Sequence, residues 1–384
     1  MAKVVIKRTT YEYGTLRAAF FETMDSIGGR RIEKGARVLI KPNLLAPAPP
    51  ESAVLTHPSV VRAAVEYVLE RGGLPQVSDS PAMGAFEKIL KVSGIKDALE
   101  GLDVEFKEFK NSVTIDAGEP TGKLELAEDA VGIDTIINLP KLKTHGQMLL
   151  TLGVKNLFGC VVGFKKPEWH LRAGDDRMAF ARVIVQVYKS VKPSFTILDG
   201  VLAMEGRGPG KGGVPREVGV LMGSGDAVAL DGVVCRMLGV DPERLPILAA
   251  AREMGLARDP VEIEGELPEV RNFKIPESVP LMFGPRLFHG FLRKHLIQRP
   301  VADEALCRLC GDCLRYCPTR AIGMEPGAVA FDYGKCIRCY CCLEVCPHGA
   351  VRTEEPALGA LVKRLQPRIA DFARRIRNFP KQQP

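Results

Sequence analysis

Apolar, β-branched runs recur through the first 285 residues and alternate with stretches of helical period. The segments "KVVIKR" (3–8), "RVLIKPNLL" (37–45), "TIINLPKL" (135–142), "FTILDGVLA" (195–203) and "EVGVLMG" (217–223) read as strands. Helical period marks 57–73, 173–191, 226–238 and 242–255. In the first of these Val60, Ala64, Val65, Val68 and Leu69 share a face, Gly72 ends it, and Thr56 with Pro58 marks its start. Strands alternating with helices predict an α/β domain over 1–285, built on a largely parallel sheet with flanking helices.

The pattern changes after a proline-rich segment at 276–285. Residues 286–300 read as a basic, apolar linker helix. Residues 301–355 are short-looped and cysteine-rich. Residues 356–384 form a basic amphipathic segment with Leu361, Leu365, Ile369, Phe372 and Ile376 on one side of a C-terminal helix. The apolar sides of the two basic helices are expected to pack on protein, and Pro367 interrupts the second. The richest apolar stretch, 147–164, is broken by Lys155, Asn156 and three glycines, so no transmembrane span is expected.

Composition changes little in this picture: 46% apolar and 26% charged is ordinary for a globular protein of 384 residues. The net charge of +7 belongs to the tail, where seven Lys or Arg face one Asp from Ala357 onward. Basic residues are not interleaved with aromatics, which argues against nucleic acid. The start "MAKVVIKRTTYEYG" has no apolar signal core, and nine of the eleven cysteines fall between 307 and 346. Both features fit a reducing cytoplasm better than a disulfide framework.

Those cysteines form an internal repeat. Residues 303–322 and 332–351 match at an offset of 29, each reading C-x2-C-x2-C-x3-C-P. Two-residue gaps wrap the backbone around one corner of a cubane, and the fourth cysteine, before proline, points away. Structural zinc favours two C-x2-C pairs over a longer loop, not tandem triplets. The module resembles the bacterial two-cluster ferredoxins, which have a small α+β fold. That resemblance implies two [4Fe–4S] clusters, one on Cys307, Cys310, Cys313 and Cys346, the other on Cys336, Cys339, Cys342 and Cys317. Cys341, inside "CYCC", has no place in the pattern and reads as a small packed residue, as do Cys160 and Cys235.

In the α/β domain, polar residues cluster where predicted strands end: Lys41 to Asn43, Asp79 and Ser80, "NLPKLKTHG" (138–146), "GVKNLFG" (153–159) and "DGVLAMEGRGPGKGG" (199–213). Carboxyl ends of strands are where open α/β sheets bind ligands. These stretches resemble the family called domain of unknown function 362, over roughly residues 37–255, many members of which carry a two-cluster ferredoxin module. Lys143, His145 and Glu205 are the catalytic candidates. Lys41, Asn43, Lys141, Lys155, Asn156, Asp199 and Gly206 are candidates for holding a ligand or second cofactor. The lysines would attract a small anion; Asp79, Asp199 and Glu205, with His145 and His170, could hold a divalent cation or pass a proton. "GPGKGG" (208–213) fits G-x-G-x-x-G, but a strand-like run follows it, so it reads as a glycine loop closing over a ligand. Asp226 reads as a helix cap.

Two functions follow from this pattern. In the first, the clusters pass single electrons between a redox partner protein and a ligand or cofactor in the α/β domain, as in an oxidoreductase. In the second, the chain is an electron carrier or assembly subunit and the α/β domain is a docking platform. A non-redox enzyme with sensing clusters is more remote. Lys143, His145 and Glu205 separate the first two, since a carrier does not need them.

Overall fold

The computed structural model describes residues 1–163, 165–174, 176–276 and 298–357. Its strands, in chain order, are β1 (Ala2–Arg8), β2 (Arg37–Pro42), β3 (Leu74–Val77), β4 (Glu105–Phe106), β5 (Ser112–Asp116), β6 (Lys123–Ala127), β7 (Thr135–Leu139), β8 (Lys141–His145), β9 (Leu149–Thr151), β10 (Phe195–Gly206), β11 (Gly213–Ser224) and β12 (Val261–Glu264) in the α/β body. The cysteine-rich part adds β13 (Arg299–Ala302), β14 (Ile322–Glu325), β15 (Ala328–Phe331) and β16 (Val351–Glu354).

Ten of these strands form one mixed, mostly parallel sheet in the order β12-β1-β11-β10-β7-β2-β3-β4, with β8 paired to β10 and β9 to β8. The antiparallel pairs are β1/β11, β10/β11 and β8/β9. Helices cover both faces. Tyr13–Ser26 and Pro58–Glu70 pack on one side, around Phe20, Val61, Val65 and Ile40. Arg177–Val191, Ala227–Met237 and Pro246–Glu253 pack on the other, around Phe180, Ile184, Leu230 and Ala251. Strands buried on both faces are why β2, β7 and β8 read as nearly unbroken apolar or buried runs.

Several element ends differ from the sequence pattern for local reasons. The run 135–142 divides at Pro140, which has no N–H for the ladder; its carbonyl accepts from Asp199 N at 2.9 Å, and the chain re-enters the sheet as β8 on β10. The segment 242–255 divides into a short turn and the helix Pro246–Glu253, because Leu245 precedes proline and stays extended. His57, not Thr56, caps Pro58–Glu70: its Nδ1 accepts from Ser59 N, while Thr56 donates to Leu139 O. Asp226 caps Ala227–Met237 as expected.

The cysteine-rich part is two antiparallel pairs, β13/β16 and β14/β15, with short helices Asp312–Arg315 and Cys341–Val345. Most of the expected linker helix and the C-terminal basic helix lie outside the described residues; at Arg299 and Pro300 the chain is already in β13. Among the described residues no helix is long and apolar enough to cross a membrane. The glycine loop at 208–213 is the tip of the β10–β11 hairpin and docks on the cysteine-rich part. A Cβ on Gly210 would lie 3.1 Å from Glu344 O, tighter than ordinary contact, so the backbones approach as only glycine permits.

Candidate functional site

The carboxyl ends of β2, β3 and β8 and the short helix Gly153–Asn156 open onto one hollow of about 190 Å³. From the α/β side it is walled by Asn43, Asp79, Lys143, His145, Lys155 and His170, among others; from the cysteine-rich part come Tyr316, Cys341, Glu344 and Val345. The cavity therefore lies between the two modules.

Local hydrogen bonds fix this wall. The buried Asp231 carboxylate accepts from Gly153 N (2.8 Å) and Val154 N (3.1 Å), holding the start of the turn that carries Lys155 and Asn156. Burial pushes its carboxyl up to about 7, against the pull of those two N–H groups. Asn156 donates to Asn138 Oδ1 at 2.8 Å and accepts from Asn43 Nδ2 at 3.0 Å, which leaves Asn43 Oδ1 buried without a partner. Lys41 and Asp79 form a fully buried pair at 2.9 Å, and Asp79 also accepts from Leu44 N and Ser80 N. Gly159 seats that pair: a Cβ there would meet Asp79 Oδ1 and come within 2.6 Å of Lys41 Nζ.

Burial dominates the electrostatics. Lys143 gives one proton to Val54 O at 2.7 Å; burial first, then the charge of Lys155, pushes it down to about 7. Lys155 makes no hydrogen bond or ion pair among the described residues, its ammonium standing 6.0 Å over the Phe158 ring. Its pKa is lowered by burial, against the attraction of Glu344. Lys166 donates to Ser80 O (2.7 Å) and Ser80 Oγ (2.8 Å), and burial brings it to about 8. His145 and His170 are both lowered by burial to about 4 and are neutral at pH 7. His145 Nδ1 accepts from the backbone N–H of Gln147 and Met148, which puts the ring proton on Nε2. That nitrogen lies 2.9 Å from Glu344 Oε1, a close contact lacking the alignment of a hydrogen bond. Burial would raise Glu344, but His145, Lys155 and His170 outweigh it and bring it to about 2. His170 Nδ1 and Thr151 Oγ1 are buried on the same wall without partners among the described residues. Buried polar atoms left bare are costly, and a ligand is what would satisfy them.

Of the residues singled out in the sequence, the cavity wall brings together Lys143, His145, Lys155, Asn43 and Asn156, with Lys41 behind it on Asp79. It does not include four others. Lys141 and Asp199 form a fully buried pair at 2.7 Å, closed by Tyr11 and His57 N. Glu205 accepts from Arg216 and Lys274 N, while Gly206, at φ +77°, donates to Lys274 O; both serve the hairpin. A cation site made from Asp79, Asp199, Glu205, His145 and His170 is thus not assembled, and among the described residues no three acidic, Cys or His side chains gather around a single ion position. Sequence reasoning missed Lys166, Tyr316 and Glu344. Lys166 and His170 are four apart on helix Lys165–Ala173, a same-face signal that was available. Cys341 packs, as expected, but also faces the cavity.

None of the eleven cysteines is in a disulfide. Cys307, Cys310, Cys313 and Cys346 line one small hollow. Cys317, Cys336, Cys339 and Cys342 line a second, with Cys341 beside them. Ala321 N donates to Cys317 Sγ and Ala350 N to Cys346 Sγ, each at 3.2 Å and each four residues on. The repeat extends to the backbone. Left-handed residues fall at matched positions 29 apart: Leu309 with Arg338, Gly311 with Tyr340, Arg320 with Gly349. A side-chain-bearing residue there costs roughly 1–2 kcal/mol, which the thiol arrangement must offset. Eight thiols in two fours fit iron–sulfur ligation.

Residues 38–236 match the family described as Domain of unknown function (DUF362), and residues 299–347 match the 4Fe-4S dicluster domain. A thylakoid-associated protein of Synechocystis sp. is 38% identical over 303 residues, which span 77% of this chain and 94% of that protein. Among solved structures, a Thermotoga maritima protein aligns with a TM-score of 0.34 at 14% identity, covering 54% of each chain. The lactate racemase apoprotein of Thermoanaerobacterium thermosaccharolyticum aligns with a TM-score of 0.39 at 11% identity, covering 60% of this chain and 56% of that one.

Proposed function

The chain belongs to the DUF362 family, here joined to a 4Fe-4S dicluster domain, and from that premise we propose an iron–sulfur oxidoreductase whose electrons reach a small anionic ligand in the cavity between the modules. The observation that carries this is helix Cys341–Val345: its Cys341 stands in the wall of both the second cysteine hollow and the ligand cavity.

Cys307, Cys310, Cys313 and Cys346 would hold one [4Fe–4S] cluster and Cys317, Cys336, Cys339 and Cys342 the other. When bound, such clusters supply single electrons. The protein's own residues do the rest. Backbone N–H groups of Ala321 and Ala350 support the thiolates of Cys317 and Cys346. Lys143 and Lys155 draw in an anion, neutral His145 offers Nε2–H beside it, and Cys341 with Val345 walls the cavity on the cysteine-rich side. At the far hollow Cys310 is exposed, and so are Leu306, Leu309 and Leu314 nearby in sequence. A redox partner protein is placed there. A reducing compartment such as the cytoplasm suits cysteines kept out of disulfides for metal.

A pure carrier, the rival reading, has no use for the bare buried atoms of Asn43, Thr151 and His170 facing a hollow. Anaerobic purification is the test. About eight iron and eight sulfide per chain are expected, together with a copurified small anion released on denaturation and lost in His145→Ala, which keeps its iron. A colourless chain holding zinc, or an iron-loaded chain with nothing to release from either form, would sink the proposal.

A further inference from the structure

The cationic groups of the cavity fall into two poles. At one, the charge of Lys155 opposes that of Lys143, and Glu344 attracts both, with Asp79 a weaker attraction on Lys143. At the other, Lys166 sits on Ser80; Asp79 and Lys41, the strongest charges acting on it, already neutralise one another at 2.9 Å, and Glu108 adds a weaker attraction. Each pole thus holds a lysine, Lys155 at one and Lys166 at the other, that has no ion-pair partner among the described residues. Lys143 spends one of its three protons on Val54 O, and Lys155 spends none on the described residues. Buried ammonium groups left this way are expensive, and two of them on one wall repel. The same wall carries the apolar side chains of Leu44, Pro81, Phe158 and Val345. The hollow, at about 190 Å³, is smaller than the ~300–1,000 Å³ of sites for drug-sized ligands. That favours a small acid over a nucleotide.

We propose that this cavity takes an elongated organic dianion, two carboxylates joined by a carbon chain of four or five atoms in all, with one carboxylate at the Lys143–Lys155 pole and the other at Lys166. The apolar side chains of the wall meet the carbon chain. A single phosphate would satisfy one pole and leave the other bare. This inference rests on the reading of the cavity as the ligand site, and adds the class of ligand.

The test is anaerobic calorimetry on the dialysed, cluster-loaded full chain at pH 6.5, with succinate, glutarate, succinamate (the monoamide), succinamide (the diamide) and inorganic phosphate. Succinate or glutarate should bind at least tenfold more tightly than succinamate and phosphate, with no heat from the diamide. Lys155→Met and Lys166→Met, with iron content and circular dichroism unchanged, should each weaken the diacid tenfold or more. Silence from both diacids, phosphate as the tightest ligand, or diacid and monoamide within threefold on the wild-type protein would overturn the proposal without any variant. A parallel titration of the reduced protein followed by electron paramagnetic resonance separates the two claims. Diacid binding that leaves the spectrum unchanged keeps the dianion site and removes the electron-transfer reading. A spectrum that responds only to phosphate does the reverse.

Discussion

His145 Nε2 lies 2.9 Å from Glu344 Oε1, joining residues 199 positions apart across the boundary between the sheet body and the cysteine-rich module. A neutral ring meets an ionised carboxylate there although burial opposes charge on both. Burial holds the imidazole near 4, and the surrounding positive groups hold the carboxyl near 2.

The two neutral histidines make the fold acid-sensitive. His145 and His170 are depressed from 6.5 to about 4. At these two rings the unfolded chain thus binds more protons than the folded one between those values, so their contribution is full above about 6.5 and falls toward 4, while Asp231, raised to about 7, slopes the other way and offsets part of it. The slope should approach 1.4 kcal/mol per pH unit for each ring, roughly. Urea midpoints measured from pH 7 to 4 should show it, and His170→Phe should flatten it; an unchanged slope in that variant would contradict the assignment.

Lys143 gives ligand binding its own pH signature. At about 7 it is half charged at neutrality, with Lys155 and Lys141 opposing its charge and Glu344 and Asp79 favouring it. An anion beside it favours the ammonium form, so binding at pH 7.5 should take up protons and weaken as pH rises. Calorimetric heats in buffers of different ionisation enthalpy would measure the uptake, and Lys143→Met should abolish most of it.

Asp231 acts on the site only through the backbone. Asp231→Ala removes the acceptor of Gly153 N and Val154 N, at a cost of about 1–2 kcal/mol of stability. Anion affinity should fall with it while the iron content stays constant, because the hydrogen-bond partners of this carboxylate, Gly153 N and Val154 N, belong to the sheet body. Asp231→Asn, which keeps one acceptor, should recover part of the affinity.

Cys341 and Cys342 are neighbours with opposite expected phenotypes. Cys342→Ala should halve the iron, to about four atoms per chain, whereas Cys341→Ala should keep about eight. Equal losses in both would mean that the ninth thiol is a ligand.

Much of this was legible before the fold was known, for identifiable reasons. Cluster cysteines declare themselves by spacing alone. Asn43 and His145 sit at the ends of β2 and β8, Lys143 lies within β8, and Lys155 and Asn156 are on the short helix that follows β9, all near the carboxyl edge where an open sheet binds ligands. Lys141 misled because a regular β8 would put it on the same face as Lys143. Instead the pairing with β10 shifts register between Asp199 and Met204, and Lys141 turns to Asp199. Glu205 misled because a glycine loop reads as a lid, whereas here it ends a long antiparallel hairpin whose tip grips the other module. Glu344 was invisible, since between Cys342 and Cys346 only the count of residues carries meaning.

Cys341 lines both the second cysteine hollow and the cavity between the modules. Whatever fills the cavity is then also a stopper. An empty chamber would give dioxygen a direct approach to the sulfur cage, so occupancy should slow bleaching in air as well as supply an electron acceptor or donor.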